Sequence, residues 1–270
     1  MELRHRALAA FELTDAVQKA HTVLALWQEL QEKPQLAIDT AFVFAAPDIP
    51  AAPGRPAKPA LVEPQDVPRR SPFTPAGLAA LLHSITHIEF NAINLALDAI
   101  WRFDGMPTQY YRDWMQVAAE EAKHFLLLRT HLVEYGYDYG DFVAHDGLWT
   151  ICENTRFDVV ARMALVPRTM EARGLDATPI IQQKLARVGT PQAQAASVIL
   201  DVILREEVGH VAIGNHWYHW LCQRDGIESD SFYRQAAQAH GAPRLKPPFN
   251  LEARRKAGFT EQELMALPQK

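Results

Sequence analysis

Residues 205–210 read Arg-Glu-Glu-Val-Gly-His and lie within a long apolar helical pattern. Glu207 and His210 are three residues apart, so on a helix their side chains lie side by side on one face. The rest of that face is apolar and consists of Leu200, Ile203, Leu204, Val211 and Gly214. Because an unpaired charge is costly to bury, this pair predicts a specific partner in the core, and a metal ion is one hypothesis.

The same spacing recurs upstream in Glu121-Ala122-Lys123-His124, again on an apolar face, which consists of Trp114, Val117, Ala118, Phe125 and Leu128. Spacing alone is weak evidence, since Glu2 and His5 also match it at the charged N terminus. The surrounding helices make it specific. Four long helical patterns, at about residues 74–103, 108–134, 146–173 and 190–223, are joined by short connections. This arrangement predicts an all-α protein with a four-helix bundle.

Helix boundaries follow from capping signals. Thr74-Pro75 and Thr190-Pro191 each place an N-cap residue before a proline in the first turn. Gly174 is read as the end of the third helix, followed by a short helix at about residues 179–188. Residues 2–32 predict one or two helices with a break at Thr14 or Asp15, and Thr260 and Glu263 form a capping box for a last short helix. No segment has a convincing strand pattern.

Composition divides the chain into four regions. Residues 1–46 are a helical appendage, and residues 47–75 are a linker or strap that contains nine of the 18 prolines. Residues 76–224 form the bundle, and residues 225–270 form a helical tail. Prolines at this density exclude helix and central strand, and they favour an extended chain. A signalling-type proline-rich ligand is the alternative for this region.

Bundles that bind two metal ions take one Glu from each of two helices and a Glu-x-x-His from each of the other two. The first helix offers Glu89 on an apolar stripe, and the third offers Glu153 or Glu171. In an antiparallel hairpin, residues equidistant from the turn face each other. Glu89 and Glu121 each lie 14 residues from the first turn, while Glu171 lies 18 and Glu207 lies 17 from the second. Glu153 would be displaced by about 28 Å.

Six residues are therefore expected at one depth in the bundle: Glu89, Glu121, His124, Glu171, Glu207 and His210. Four carboxylates and two imidazoles suit two transition-metal ions, with iron expected and manganese or a mixed iron/manganese pair as the alternatives. Four carboxylates nearly cancel the charge of two divalent ions, whereas without metal they would repel one another. The alternative is that arginines on the helix faces pair with these glutamates, and Arg156, Arg168 and Arg205 are available for that.

Neighbouring polar and aromatic residues have plainer interpretations. Glu120 and Glu206 lie beside the predicted ligands but not on their face, and His83, His87 and His131 are read as ordinary packing residues. Tyr111 and Trp114 lie on the same helical face as Glu121, and Tyr218 lies on the same helical face as Glu207. They are read as core aromatics, with a hydrogen-bonding or radical role as the alternative.

These residues resemble the ferritin-like di-iron superfamily over about residues 74–224. The chain is more closely similar to an uncharacterised bacterial ferritin-like family. That similarity covers nearly the whole chain and is carried by Pro53-Gly54-Arg55-Pro56 to Pro68-Arg69-Arg70, His87-Ile88-Glu89 and Met170-Glu171-Ala172-Arg173-Gly174-Leu175-Asp176. At greater distance it is similar to the tRNA-hydroxylating di-iron monooxygenases. The resemblance implies a ferritin-like bundle, but the superfamily spans oxygenases, ferroxidases and catalases, so fold does not choose among them.

The predicted site is compatible with three functions. The first is an O₂-activating di-iron oxidoreductase, a monooxygenase or oxidase acting with O₂ on a small or carrier-bound substrate. The second is a ferritin-type metal-binding protein, or ferroxidase, without an organic substrate. The third is an RNA-modifying hydroxylase, suggested by a basic tail of Arg244, Lys246, Arg254, Arg255 and Lys256. No catalytic residue beyond the metal ligands and no organic cofactor is predicted.

Composition bears on partners and compartment. The net charge of −5 disfavours nucleic acid or an anionic membrane as a partner. Two cysteines, Cys152 and Cys222, cannot build a disulfide framework, and no apolar run reaches membrane-spanning length, so a cytoplasmic location is expected. The sequence also allows an electron-donor protein as a partner and assembly of the chain into a homodimer.

Overall fold

The structure is a computed structural model and describes residues 2–45 and 52–268. Helices dominate these residues, and the β contact recorded among them is an isolated parallel bridge between Leu61 and Ala144. The predicted all-α class is therefore confirmed. The chain divides into two compact units, Met1–Asp146 and Gly147–Lys270. The four-region division expected from composition stays a prediction.

The first unit is built on a hairpin of two long helices, α3 (Pro75–Arg102) and α4 (Thr108–Glu134). Thr74 caps α3 by accepting a hydrogen bond from the Gly77 backbone N–H, and Pro75 occupies the first turn, as predicted. The connection contains Gly105, whose φ of 69° suits glycine. The short loop makes the two helices antiparallel neighbours, so residues equidistant from the turn share a level.

Helices α1 (Leu3–Glu12) and α2 (Ala16–Glu32) precede this hairpin, and α1 packs on α3 while α2 packs on α4. The break between them is confirmed, because Asp15 caps α2 by accepting from the Gln18 N–H. The fully buried Arg4 donates to the Ile100 and Trp101 carbonyls at the end of α3. It thereby satisfies carbonyls that a helix C terminus leaves without a partner inside the helix.

The Pro-rich segment lies along the first unit as a strap, except for Pro47 and Pro50, which fall outside the described residues. Its Gly54 N–H donates to the Phe11 carbonyl, and its Val62 N–H donates to the Ala144 carbonyl. Lys19 is fully buried, and its ammonium donates to the carbonyls of Phe11 and Gly54. These contacts favour the strap over a free linker.

The second unit contains helices α5 (Gly147–Asn154), α6 (Val159–Leu165), α7 (Ala172–Val188) and α8 (Pro191–Asp225). The single third helix expected from the sequence is wrong, because it is interrupted after Asn154. Asp158 starts a new helix by accepting from the Ala161 N–H. A π-helical turn, Val166–Glu171, then joins α6 to α7.

The expected break at Gly174 is also wrong. Helix α7 continues through both Gly174 and Pro179, and it ends at Val188, where Gly189 caps it with a φ of 70°. The space next to the Gly174 Cα is open, so nothing in its surroundings requires glycine there. Pro179 gives up one backbone hydrogen bond, and burial of Leu175, Thr178 and Leu185 on the same helix offsets that loss.

Three shorter helices complete the second unit: α9 (Ser229–Ala239), α10 (Leu251–Lys256) and α11 (Glu261–Met265). The predicted capping box is confirmed, with Thr260 and Glu263 each bonding the other's backbone N–H. Arg254 on α10 donates to Asp176 on α7, and Ala253 and Ala257 pack against Ala172 in a small apolar core. Within the described residues, no helix has the length and apolar character needed to cross a membrane.

Candidate metal centre

Three predicted ligands meet inside the first unit. Glu89 lies on α3, and Glu121 and His124 lie on α4. All three are buried, and each offers a ligand atom within 4.8 Å of the others. His124 Nδ1 lies 3.3 Å from Glu89 Oε2 and 3.4 Å from Glu121 Oε2. Glu89 and Glu121 are 32 residues apart, and their equal distance from the hairpin turn explains how these antiparallel helices bring them together.

The electrostatics of this triad favour a bound cation. Burial, followed by repulsion from Glu121, raises the pKa of Glu89 well above its usual value, and the nearby His124 opposes this only in part. Two carboxylates this close in an apolar core cannot both ionise cheaply without a positive charge. A divalent ion supplies that charge, and two carboxylate oxygens with one imidazole nitrogen form a set that suits iron or manganese.

A cluster of aromatic and histidine side chains, which the sequence pattern did not predict, lies next to the triad. His87 Nδ1 lies 2.9 Å from the hydroxyl oxygen of Tyr139, and Asn91 donates to His87 Nε2. The Tyr139 ring packs on Phe90 and Phe125, the residues that follow Glu89 and His124. Burial, followed by the neighbouring His83, lowers the pKa of His87 to about 3, so this imidazole is neutral.

His83 belongs to the same cluster. Its ring stacks on Tyr139, and its Nε2 accepts from the Gly140 N–H at 2.9 Å. His83 and His87 therefore anchor the connection after α4, as packing residues with defined hydrogen bonds. Tyr139 stands in an irregular stretch, where no periodic signal could predict its position.

The second unit presents the repeated motif as predicted. Glu207 and His210 lie on α8 and are both buried, with Glu207 Oε2 3.7 Å from His210 Nδ1. Glu206 and Arg205 point away from this buried stripe and are half-buried and exposed respectively. The face assignment from helical periodicity is therefore correct for Glu206, Glu207 and His210.

Glu171 is buried at the last position of the π-turn. Pro167 has no N–H to donate to the Met163 carbonyl, so the regular helical ladder cannot continue there. The Ala172 N–H instead reaches back five residues to the Pro167 carbonyl, which is the π pattern. Pro167 thus interrupts the regular helix with a widened turn that ends in a predicted ligand.

Two of the three arginines that could have paired with the predicted ligands have other partners in the structure. Arg156 pairs with Glu153, and Arg168 pairs with Glu263. Glu153 lies at the end of α5, on a separate helix from Glu171, which agrees with its exclusion from the ligand set. Three of the six predicted ligands lie in the first unit and three in the second, and the full set stays a prediction.

The remaining residues have structural roles. The Tyr111 hydroxyl donates to the Phe103 carbonyl in the α3–α4 loop, and the Tyr218 hydroxyl donates to the Ser229 carbonyl. Trp114 and His131 are buried, and Glu120 is half-buried and accepts from Gln116.

The basic tail is largely engaged in ion pairs. Arg254 pairs with Asp176, Arg255 pairs with Glu261, and Lys256 pairs with Glu252. Three of its five cations therefore already have acidic partners, which weakens the argument for phosphate binding.

Comparison with known proteins assigns the chain to a family. A family described as "Protein of unknown function (DUF455)" matches residues 12–265. The chain belongs to this family. It is also 50% identical over 216 residues to a Haemophilus influenzae protein named "Uncharacterized protein", covering 77% of this chain and 74% of that protein. No solved structure matches the chain. Membership in this family implies no activity, so function has to be argued from the site.

Proposed function

We propose that the protein is a metal-dependent oxidoreductase with a dinuclear carboxylate centre, which uses iron to activate O₂ for oxidation of a small or carrier-bound substrate. The observation that carries this proposal is the buried triad of Glu89, Glu121 and His124, whose ligand atoms lie within 4.8 Å of one another. A buried group of this composition is unfavourable unless a cation is present.

The second unit supports a second ion. It repeats the Glu-x-x-His spacing at Glu207 and His210, and it carries a buried Glu171 at nearly the same distance from its own hairpin turn as Glu207. We propose that these three residues and the triad together hold two metal ions. The four carboxylates would then balance the charge of two divalent cations.

Iron would supply the redox chemistry when bound, and the chain supplies its environment. Glu89 and Glu121 provide negative charge, and His124 provides a neutral nitrogen donor. Phe90 and Phe125, both fully or almost fully buried beside the ligands, keep water away from the triad. A dry site of this kind strengthens electrostatic interactions and limits the release of reactive oxygen species.

Metal analysis tests the centre directly. Purified protein reconstituted with Fe²⁺ under anaerobic conditions is expected to hold two ions per chain. Glu121→Gln keeps the shape of the side chain but removes its charge, so it is expected to lower the metal content. Glu120→Gln is the matched control, because the adjacent Glu120 is half-buried and accepts from Gln116 instead of facing the triad. Full loading of Glu121→Gln, with circular dichroism equal to wild type, would refute the assignment.

Two further measurements separate an oxidoreductase from a metal store. Aerobic uptake of Fe²⁺ without an added reductant is expected to stop at two ions per chain. A ferritin-type protein would instead continue to take up and oxidise Fe²⁺ in large excess over two ions per chain. Size-exclusion chromatography is expected to show a small species, and a large hollow assembly would favour storage.

A further inference from the structure

The π-turn that carries Glu171 is held by side chains from the C-terminal segment of the second unit. Arg168, inside the turn, is buried, and its Nη1 donates to Asn215 Oδ1 at 3.0 Å. Its Nη2 donates to Glu263 on α11. Burial alone would raise the pKa of Glu263, but the hydrogen bond with His219 and the positive charge of Arg168 hold it well below its usual value. The pair is therefore fully ionised at neutral pH.

An aromatic cage surrounds the same guanidinium. The Arg168 Cζ lies 4.9 Å from the Tyr218 ring centroid, 5.6 Å from that of Tyr233 and 4.9 Å from that of Phe259. These rings come from α8, from α9 and from the segment between α10 and α11. Cation–π contacts of this kind are stronger when the cation is desolvated, as Arg168 is.

A second anchor reaches the next residue of the turn. The Thr169 hydroxyl donates to the Ala164 carbonyl at 2.8 Å, so its oxygen accepts from the Tyr233 hydroxyl at 3.0 Å. On the opposite side, Pro167 lies against Gly214, where an added Cβ would come within 2.4 Å of the proline ring. Three consecutive residues of the turn are thus held by contacts outside their own helix.

The turn needs such support. A π-turn is rare, its hydrogen bonds replace the regular ladder, and Pro167 removes one donor from it. The last residue of the turn is Glu171, so its direction depends on how the turn is wound. The contacts on Arg168 and Thr169 come from residues that are 47 to 95 positions away along the chain.

We propose that residues 229–265 act as a clamp that fixes the π-turn and so positions Glu171 for metal binding. Tyr233 and Glu263 are the positioning residues of this clamp, and they act on Glu171 through Thr169 and Arg168 of the turn without contacting the metal. The inference rests on the proposed function, in which Glu171 is a metal ligand. It assigns to the C-terminal helices a part in the metal centre that their own sequence does not suggest.

Metal affinity measured with Co²⁺ as the probe ion tests the clamp. Tyr233→Phe removes a single hydroxyl, and Glu263→Gln removes the charge opposite Arg168. Both are expected to weaken binding of one of the two Co²⁺ ions by about tenfold, the lower end of the effect of groups that orient metal ligands. The visible absorption of bound Co²⁺ is expected to shift, because the carboxylate geometry around it changes. A loss of stability alone would not shift that spectrum.

Glu261→Gln provides the matched control. Glu261 is on the same helix as Glu263, is exposed and pairs with Arg255 on the surface, so its loss is expected to leave Co²⁺ binding unchanged. Hydrogen exchange of the metal-free protein gives an independent measure. The amides of residues 168–172 are expected to exchange faster in Tyr233→Phe than in wild type, with little change in α8.

The outcomes separate the clamp from the proposed function. If wild type and Glu171→Gln bind the same number of Co²⁺ ions, the ligand role of Glu171 fails and the clamp fails with it. If Glu171→Gln loses an ion while Tyr233→Phe and Glu263→Gln keep wild-type affinity and spectrum, only the clamp is overturned. If a variant proves too unstable to measure, the other decides the question.

Discussion

Gly214→Ala tests the packing of the π-turn with the smallest change the chain allows. Gly214 is buried on α8, and an added Cβ would lie 2.4 Å from the Pro167 Cβ and 2.5 Å from its Cγ. Real contacts of this kind are far longer, and a proline ring cannot rotate away. Either α8 or the turn must therefore shift, which for an overpacked core costs about 1–3 kcal/mol.

Helix propensity acts in the opposite direction. Alanine is favoured over glycine within a helix by about 1 kcal/mol, because glycine loses more backbone entropy on folding. Gly209→Ala on the same helix has this gain without the clash, since nothing lies within 4 Å of its added Cβ. The two variants share the propensity gain, so the difference between their free energies of unfolding isolates the clash with Pro167.

Urea unfolding followed by circular dichroism measures both variants. Gly209→Ala is expected to be more stable than wild type, and Gly214→Ala is expected to be less stable than Gly209→Ala by about 1–3 kcal/mol. Equal stabilisation by the two substitutions would refute the close approach of Pro167 to α8. It would also remove one of the contacts on which the positioning of Glu171 depends.

Two further predictions concern buried ion pairs and hydrogen bonds. Arg4 donates to four backbone carbonyls, so Arg4→Ala is expected to lower the free energy of unfolding by at least about 3 kcal/mol. Arg6→Ala, which breaks a half-exposed ion pair with Glu29, should cost about 1 kcal/mol or less; similar losses for the two would contradict the buried role of Arg4. The pKa of Glu263 is lower in the folded protein than its ordinary 4.5, so it contributes stability above pH 4.5 that is lost on acidification. The stability difference between wild type and Glu263→Gln should therefore be constant from pH 6 to 8 and shrink below pH 4.5, and a difference that grows with acidification would refute the ion pair.

Much of the site could be anticipated from local patterns. Helical periodicity placed Glu121, His124, Glu207 and His210 on buried faces, since a single helix determines which residues share a side. The level of Glu89 followed from its distance to a short turn. The same counting favours Glu171 over Glu153, and it is helped by the continuity of α7, which runs unbroken through Gly174 and Pro179 to the α7–α8 turn.

Other features required contacts that no local pattern encodes. The interruption after Asn154 depends on Asp158 capping a new helix. The π-turn combines a local signal, Pro167, with anchors at Tyr233 and Glu263 far along the chain. Tyr139 reaches His87 only because the connection after α4 folds back onto α3.

The sequence by itself determined the all-α class, the long helices and the buried faces that carry acids and imidazoles. Helix periodicity, caps and turn residues act over a few residues, so a sequence states them directly. Only the tertiary structure decided that Glu89, Glu121 and His124 come within 4.8 Å of one another. It also decided that Arg4 hydrogen-bonds the carbonyls at the end of α3, and that the rings of Tyr218, Tyr233 and Phe259 surround Arg168 in the turn that ends at Glu171. Those features depend on contacts between side chains that are tens of residues apart in the sequence. Such contacts stabilise the protein only when the whole unit has folded and excludes water.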